Sequence, residues 1–130
     1  MVIDTSAIIA ILLDEPERAA FVEAITLDDT RLMSASTFLE CYLVIETRKQ
    51  ALERAELELF LSEAEIAVVP FDLIQVHLAA AAWRKYGKGR HPAGLNFGDC
   101  FAYALAKVRE EPLLFKGDDF SQADLRRVES

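Results

Sequence analysis

Carboxylate side chains follow or interrupt apolar stretches at four places in this chain. Asp4 and Asp118 come soon after short apolar runs, whereas Glu40 and Asp99 interrupt longer apolar stretches. Carboxylates that meet in a fold repel one another unless they are protonated or share a cation. Hard divalent ions such as Mg²⁺ are held by one or two carboxylates, with waters and substrate phosphates as further ligands. The pattern therefore indicates metal-assisted hydrolysis of a phosphodiester bond.

Short strands that alternate with helices would bring these positions together. Apolar runs typical of buried strands lie at 1–4, 31–34, 66–69 and 113–115. Helices are predicted at 6–13, 17–27, 37–49, 52–64, 73–86 and 99–109. This alternation predicts one domain over residues 1–130, with an α/β fold of three layers, α/β/α, around a central parallel sheet of four to five strands. Ligands of such sheets bind beyond the carboxyl ends of the strands, so the acids are expected there.

Three helices carry apolar patterns that predict how they pack. The helix at 37–49 is apolar on nearly every side, which is typical of a helix buried on two faces or packed against another chain. In the next two helices, apolar residues recur at helical spacing. They are Leu52, Ala55, Leu59 and Phe60 in the helix at 52–64, and Leu73, Val76, Ala80 and Trp83 in the helix at 73–86.

The composition favours a globular protein outside membranes. Hydrophobic residues make up 52% of the 130 residues and charged residues 28%, which excludes a disordered or fibrous chain. The longest apolar run, Ala7 to Leu13, is far shorter than the roughly 20 residues of a membrane span. Cys41 and Cys100 have neither CxxC spacing nor histidine partners, and each is expected to be a small buried hydrophobe. A reduced, cytoplasmic protein is therefore predicted.

The net charge of −8 opposes nonspecific attraction to nucleic acid, so any RNA contact requires local basic residues or bound cations. The concentrated basic segment comprises Arg84, Lys85, Lys88, Arg90 and His91, beside Trp83 and Tyr86. It is either an RNA contact or a solvated helix end. The same alternatives apply to Arg48 and Lys49. Lys116 either contacts phosphate or balances the nearby acids.

Three motifs of this chain resemble the PIN-domain ribonucleases. They are Val-Ile-Asp-Thr-Ser at 2–6, Glu40 in an apolar helix, and Asn-Phe-Gly-Asp-Cys at 96–100. With this length, the chain resembles the VapC toxins of VapBC toxin–antitoxin pairs. The resemblance implies an Mg²⁺- or Mn²⁺-dependent endoribonuclease, with Asp4 and Asp99 as metal ligands and Glu40 completing the acidic site. It also implies a homodimer, and inhibition by a cognate antitoxin whose tail occupies the active groove.

The chain departs from this family after its last predicted strand. Phe115 stands where members often have a hydroxyl residue, and Gly117 stands where they have an acid. The fourth catalytic carboxylate is therefore either Asp118 or Asp119, and Asp118 is favoured. The resemblance also leaves two roles for Thr5 and Ser6: a hydroxyl near the metal, or an ordinary helix cap.

Each acid also has a purely structural interpretation. Asp4, Asp99 and Asp118 can cap helices, and the stretch from Thr37 to Glu40 matches a capping box. The structural role does not exclude the catalytic one, because a helix N-terminus helps to keep a carboxylate ionised.

Two other functions fit parts of the sequence. A receiver-like phosphorylation switch would use Asp72 as phospho-acceptor and Lys116 as its lysine, but it leaves Glu40 and Asp99 unexplained. A non-catalytic interaction module would bind its partner through the apolar helical stretch at 38–45 and use the acids as caps.

Overall fold

Four short parallel strands form the centre of the molecule. The structure is a computed structural model that describes residues 1–48, 53–118, 120 and 123–129. The strands are β1 (Val2–Ile3), β2 (Leu32–Ser34), β3 (Ala67–Val69) and β4 (Leu113–Leu114), in the spatial order β3-β2-β1-β4. Every pairing is parallel, and Val2 lies opposite both Leu32 and Leu113. The predicted parallel sheet is confirmed, with four strands in the described residues.

Helices cover both faces of this sheet. They are α1 (Thr5–Leu12), α2 (Arg18–Leu27), α3 (Ala35–Thr47), α4 (Arg54–Glu63), α5 (Leu73–Tyr86) and α6 (Phe97–Arg109). Alternate strand residues point to opposite faces. Accordingly, Ile3, Met33 and Leu114 pack with α1 to α4, whereas Val2, Leu32 and Leu113 pack with α5 and α6. This is the predicted three-layer α/β/α arrangement.

Helix α3 begins earlier than predicted, and this changes the environment of Glu40. The side chain of Ser34 accepts a hydrogen bond from the Ser36 amide at 3.2 Å, so the helix starts at Ala35. The predicted capping box from Thr37 to Glu40 is therefore wrong, because Thr37 is already inside the helix. Glu40 therefore does not cap this helix. The predicted end of this helix at Lys49 lies outside the described residues.

Helix α3 buries one face within this chain rather than two. Thr37, Cys41 and Ile45 are buried, whereas Leu39 and Leu43 are 58% and 56% exposed. The expectation of burial on two faces by this chain alone is therefore wrong. The alternative expectation, contact with another chain, stays a prediction.

The apolar stripes predicted on α4 and α5 are not the buried faces of these helices. Helix α4 buries Leu57 and Leu61. Of its predicted stripe, Phe60 is partly buried against the core, Ala55 and Leu59 are exposed, and Leu52 lies outside the described residues. Helix α5 buries a different set of residues, Gln75, Ala79, Ala82 and Tyr86. Its predicted stripe of Leu73, Val76, Ala80 and Trp83 is exposed instead.

No helix in the described ranges has the length and apolar character that crossing a membrane requires.

Candidate active site

A cavity of about 430 Å³ gathers three of the four predicted acids beside the carboxyl ends of the strands. Asp4 follows β1, Glu40 lies in the second turn of α3, and Asp99 lies in the first turn of α6. All three line this cavity although they are far apart in sequence. The strand ends and helix starts that surround it therefore form the pocket expected of an open α/β sheet.

Asp4 is held by a chain of hydrogen bonds that leaves one carboxylate oxygen without a partner. Its Oδ2 caps α1, accepting hydrogen bonds from the Ser6 amide at 3.1 Å and the Ser6 hydroxyl at 2.7 Å. The amide of Lys116 donates to the Ser6 Oγ at 2.9 Å, and this directs the hydroxyl proton toward Asp4. The Oδ1 of Asp4 is buried and has no hydrogen-bond partner among the described residues.

The environment of Asp4 opposes its negative charge. Burial raises the pKa of its carboxyl group from 3.8 to about 6. The hydrogen bonds from Ser6 act in the opposite direction, and the nearby charge of Glu40 adds to the increase. An unpaired buried oxygen and a raised pKa both indicate a site that a bound cation would stabilise.

Glu40 is positioned by a threonine and a glycine from other elements. The Thr5 hydroxyl donates a hydrogen bond to its Oε1. On the other side, a Cβ atom at Gly98 would lie only 1.8 Å from its Oε2. The glycine in Asn-Phe-Gly-Asp-Cys therefore provides the space that lets the Glu40 carboxylate lie against the start of α6.

Asp99 caps its own helix and lines the cavity at the same time. Its Oδ2 accepts a hydrogen bond from the Asn96 amide at 3.0 Å. The Asp99 amide in turn donates to the Asn96 Oδ1 at 2.9 Å, which completes a capping box. Asp99 therefore helps to cap α6 and also lies buried at the cavity wall, near the other acids.

Asp118 is exposed and is not among the described residues that line the cavity. Its neighbour Lys116 lines the cavity and forms ion pairs with Glu15 and Glu17, both at 3.2 Å. Asp119, the alternative fourth acid, lies outside the described residues. The choice of Asp118 as the fourth catalytic acid stays a prediction.

The donor set fits a hard divalent cation with few protein ligands. No group of three or more His, Cys, Asp or Glu side chains is arranged to hold a metal ion within the described residues. Magnesium, however, is commonly held by one or two carboxylates, with waters and substrate phosphates completing its shell. The Oδ1 of Asp4, which has no hydrogen-bond partner among the described residues, and the carboxylate of Asp99 in the same cavity are oxygen ligands of this kind.

Both cysteines are buried thiols rather than reactive groups. Burial raises the pKa of Cys41 to about 12 and that of Cys100 to about 11. A raised pKa keeps each thiol protonated near neutral pH, which does not favour a nucleophilic role. The prediction that they act as small buried hydrophobes agrees with this burial.

The basic segment Arg84–His91 lies outside the acidic cavity. It occupies the end of α5 and the turn that follows, and it contributes no lining residue to the cavity. The guanidinium of Arg90 lies over the Trp83 ring, 4.4 Å from its centre, and the Lys85 ammonium lies 5.1 Å from the centre of the Tyr86 ring. These cations lie against aromatic side chains near the end of α5.

Comparison with known proteins gives the family to which this fold and site belong. The PIN domain model matches residues 1–125. Ribonuclease VapC30 of Mycobacterium tuberculosis is 51% identical over 128 residues, which cover 98% of this chain and 98% of that protein. The chain belongs to the VapC group of the PIN domain family. Ribonuclease VapC of Mycolicibacterium smegmatis is also 51% identical over 128 residues, which cover 98% of this chain and 99% of that protein.

A solved structure shares the PIN fold at low sequence identity. A toxin–antitoxin complex from Klebsiella pneumoniae matches with a TM-score of 0.69 and 16% identity, over 95% of this chain and 92% of that one.

The receiver-like phosphorylation switch is not favoured in this PIN domain. Asp72 caps α5 by accepting a hydrogen bond from the Gln75 amide at 3.0 Å, and it does not line the acidic cavity. Lys116 is paired with glutamates instead.

Proposed function

We propose that this protein is a VapC-type endoribonuclease toxin that hydrolyses RNA phosphodiester bonds. The observation that carries the proposal is the convergence of Asp4, Glu40 and Asp99 on one cavity in a chain of this family. Relatives that are about half identical over nearly the whole chain carry the name ribonuclease VapC. A non-catalytic interaction module does not explain why like charges are gathered in one pocket.

We further propose that the cavity holds Mg²⁺ or Mn²⁺ through the Oδ1 of Asp4 and the carboxylate of Asp99. When bound, the cation supplies stabilisation of the negative charge that develops on the phosphate. The Ser6 hydroxyl keeps the Oδ2 of Asp4 occupied, so that the Oδ1 is the oxygen available for binding. Asn96 holds Asp99 in place through the capping box.

Glu40 serves a different task in this proposal. Thr5 occupies its Oε1, and Gly98 leaves room for the Oε2 at the cavity wall. A carboxylate oxygen in this position accepts a hydrogen bond from the water that attacks the phosphorus and orients that water. Asp118 stays a predicted fourth acid.

Two protein partners are proposed, each for a different apolar surface. A cognate antitoxin is supported by the VapC group and by the neighbouring toxin–antitoxin complex structure. The exposed Leu39 and Leu43 lie beside Glu40 on α3, so an antitoxin docked there would reach over the acidic cavity. A second copy of this chain is proposed for the aromatic face of α5 and α6, where Trp83 and the 79% exposed Phe97 border an apolar groove.

We place the protein in the cytoplasm. This proposal rests on the two free cysteines, which are typical of a reducing compartment.

Cleavage of RNA by the purified protein tests the proposed function. We expect cleavage in Mg²⁺ or Mn²⁺ that stops when a chelator removes the cation. Asp4→Asn and Asp99→Asn should abolish cleavage, because asparagine keeps the helix cap but removes the charge that binds the cation. Asp72→Asn is the matched control, since Asp72 also caps a helix but lies outside the cavity.

The site assignment fails if both cavity variants cleave RNA as fast as the Asp72→Asn control.

A separate experiment identifies the RNA that the active enzyme cuts: the cleaved ends are mapped in total cellular RNA after induced expression of the protein.

A further inference from the structure

Two cationic residues are found among the described residues that line the acidic cavity, Arg48 and Lys116. Their surroundings differ. Lys116 is bound by the carboxylates of Glu15 and Glu17, both at 3.2 Å, so its charge is already more than compensated. Arg48 extends from the exposed end of α3 into the lining of the same cavity. Among the residues that the structure describes, no carboxylate forms an ion pair with Arg48.

One face of α3 connects Arg48 to the acidic end of the cavity. Glu40, Val44 and Arg48 are spaced four residues apart, and all three line the cavity. Eight residues of α-helix span about 12 Å along the axis. The cavity wall therefore extends along α3 from Glu40, which lies near the other acids, to Arg48, about one helical turn beyond Val44.

We propose that Arg48 binds a backbone phosphate of the RNA, on one side of the bond that is cleaved. This inference rests on the proposed ribonuclease function. A guanidinium binds phosphate oxygens in a bidentate geometry that a lysine ammonium cannot match. Arg48 and Glu40 are about two helical turns apart along α3, so we assign Arg48 to substrate binding rather than to the chemical step.

The charge of the protein makes such a contact important for binding. A net charge of −8 and a cavity lined by acids repel RNA outside the immediate metal site. A cationic side chain on the wall of the cavity offsets this repulsion at the point where the RNA backbone enters. The basic segment Arg84–His91 does not supply this contact, because it lies outside the cavity.

Steady-state cleavage of a short labelled single-stranded RNA in Mg²⁺ tests the proposal. We expect Arg48→Ala to raise KM by roughly 10-fold or more while kcat changes less than about 2-fold, because a uniform binding contact is lost. The logarithm of KM should also depend less steeply on the logarithm of salt concentration, by about 0.7, the change for one lost phosphate contact on a single strand. Arg48→Lys should restore part of the affinity and the salt dependence.

Arg54→Ala is the matched control. Arg54 is an exposed arginine at the start of α4, and its guanidinium lies 3.7 Å from Glu46 and outside the cavity. We expect it to behave as the unaltered protein in both KM and salt dependence. Thermal unfolding of each variant checks that the fold is intact.

Three outcomes would overturn the proposal. If the unaltered protein cleaves RNA and Arg48→Ala has the same KM and salt dependence, Arg48 does not bind the backbone, although the ribonuclease function stands. A decrease in kcat at constant KM would assign Arg48 to the chemical step instead. If the unaltered protein cleaves no RNA with either metal, the proposed function fails first and this inference fails with it.

Discussion

The acidic cavity and the basic segment Arg84–His91 both concentrate charge, and they are built in opposite ways. The cavity draws Asp4, Glu40 and Asp99 from three elements, buries Asp4 and Asp99, and orients all three with hydrogen bonds or close packing. The basic residues are neighbours in sequence, and most of them are exposed at the end of a helix. Continuity in sequence therefore does not identify a site here. Convergence of like charges under burial is the better indicator of a candidate site, because it carries an electrostatic cost that a bound cation would offset.

The first prediction sharpens this comparison by measuring that cost. The carboxyl pKa of Asp4 is raised from 3.8 to about 6, so the folded protein binds the proton more tightly than the unfolded chain. Its contribution to stability is fully present below about pH 3.8 and is lost as the pH rises through 6. In metal-free buffer, the free energy of unfolding of Asp4→Asn relative to that of the unaltered protein should therefore increase as the pH rises, by about 2 to 3 kcal/mol between pH 4 and pH 7.5.

Urea unfolding between pH 4 and 8, in the presence of a chelator, measures this difference. A parallel course of the Asp4→Asn and unaltered curves would contradict the electrostatic account of the cavity.

The second prediction breaks the packing that positions Glu40. In Gly98→Ala, the new Cβ would lie 1.8 Å from the Glu40 Oε2, and the flexible carboxylate must move away. We expect cleavage to fall by between about 10- and 100-fold, the usual effect of disturbing groups that orient a metal site. Stability should be unchanged or slightly higher, because alanine favours helix more than glycine does. A fully active Gly98→Ala variant would contradict the role given to Glu40.

The third prediction concerns the hydroxyl that orients Asp4. Ser6→Ala removes the donor at 2.7 Å from the Asp4 Oδ2 and the acceptor of the Lys116 amide. We expect the Mn²⁺ concentration for half-maximal cleavage to rise about 10-fold, with partial recovery in Ser6→Thr. Thr26→Ala is the control, since Thr26 is exposed and its hydroxyl donates a hydrogen bond to the Val22 carbonyl within α2. Equal metal requirements in Ser6→Ala and Thr26→Ala would refute this role.

The smallest effect is expected at the basic segment. Arg90 stacks on the Trp83 ring outside the cavity. Arg90→Ala should therefore change the KM for RNA cleavage by less than about 2-fold, the ordinary scale of an exposed charge that makes no substrate contact. An increase in KM as large as that of Arg48→Ala would indicate that RNA binds along this segment rather than along the cavity.

The strands and the helix order were predictable because buried parallel strands are short apolar runs between helices. The packing faces of α4 and α5 were not. Helix α5 packs against α6 through small residues, Ala79 and Ala82, which let the two helices approach closely. Its larger apolar residues, such as Trp83, stay at the surface. Periodicity detects a helix, but it does not reveal which face a neighbouring helix selects.

The candidate site was predictable where a residue adjoins a strand end or opens a helix, as Asp4 and Asp99 do. The supporting residues were harder to find, because their partners come from remote parts of the chain. Thr5 bonds to Glu40, 35 positions away, and Gly98 matters through the space it leaves for that same side chain. For Gly98, the glycine between Phe97 and Asp99 was a visible signal, since glycine is unfavourable in a helix unless space requires it.

Calorimetric titration of Mn²⁺ into the metal-free protein at pH 7.5 tests the central claim most directly. If the gathered carboxylates exist to hold a cation, the unaltered protein and Asp72→Asn will bind Mn²⁺ with the same saturable isotherm. Asp4→Asn and Asp99→Asn, folded by circular dichroism, will give no measurable binding. Absence of binding to the unaltered protein, or unchanged binding in both cavity variants, would contradict the account.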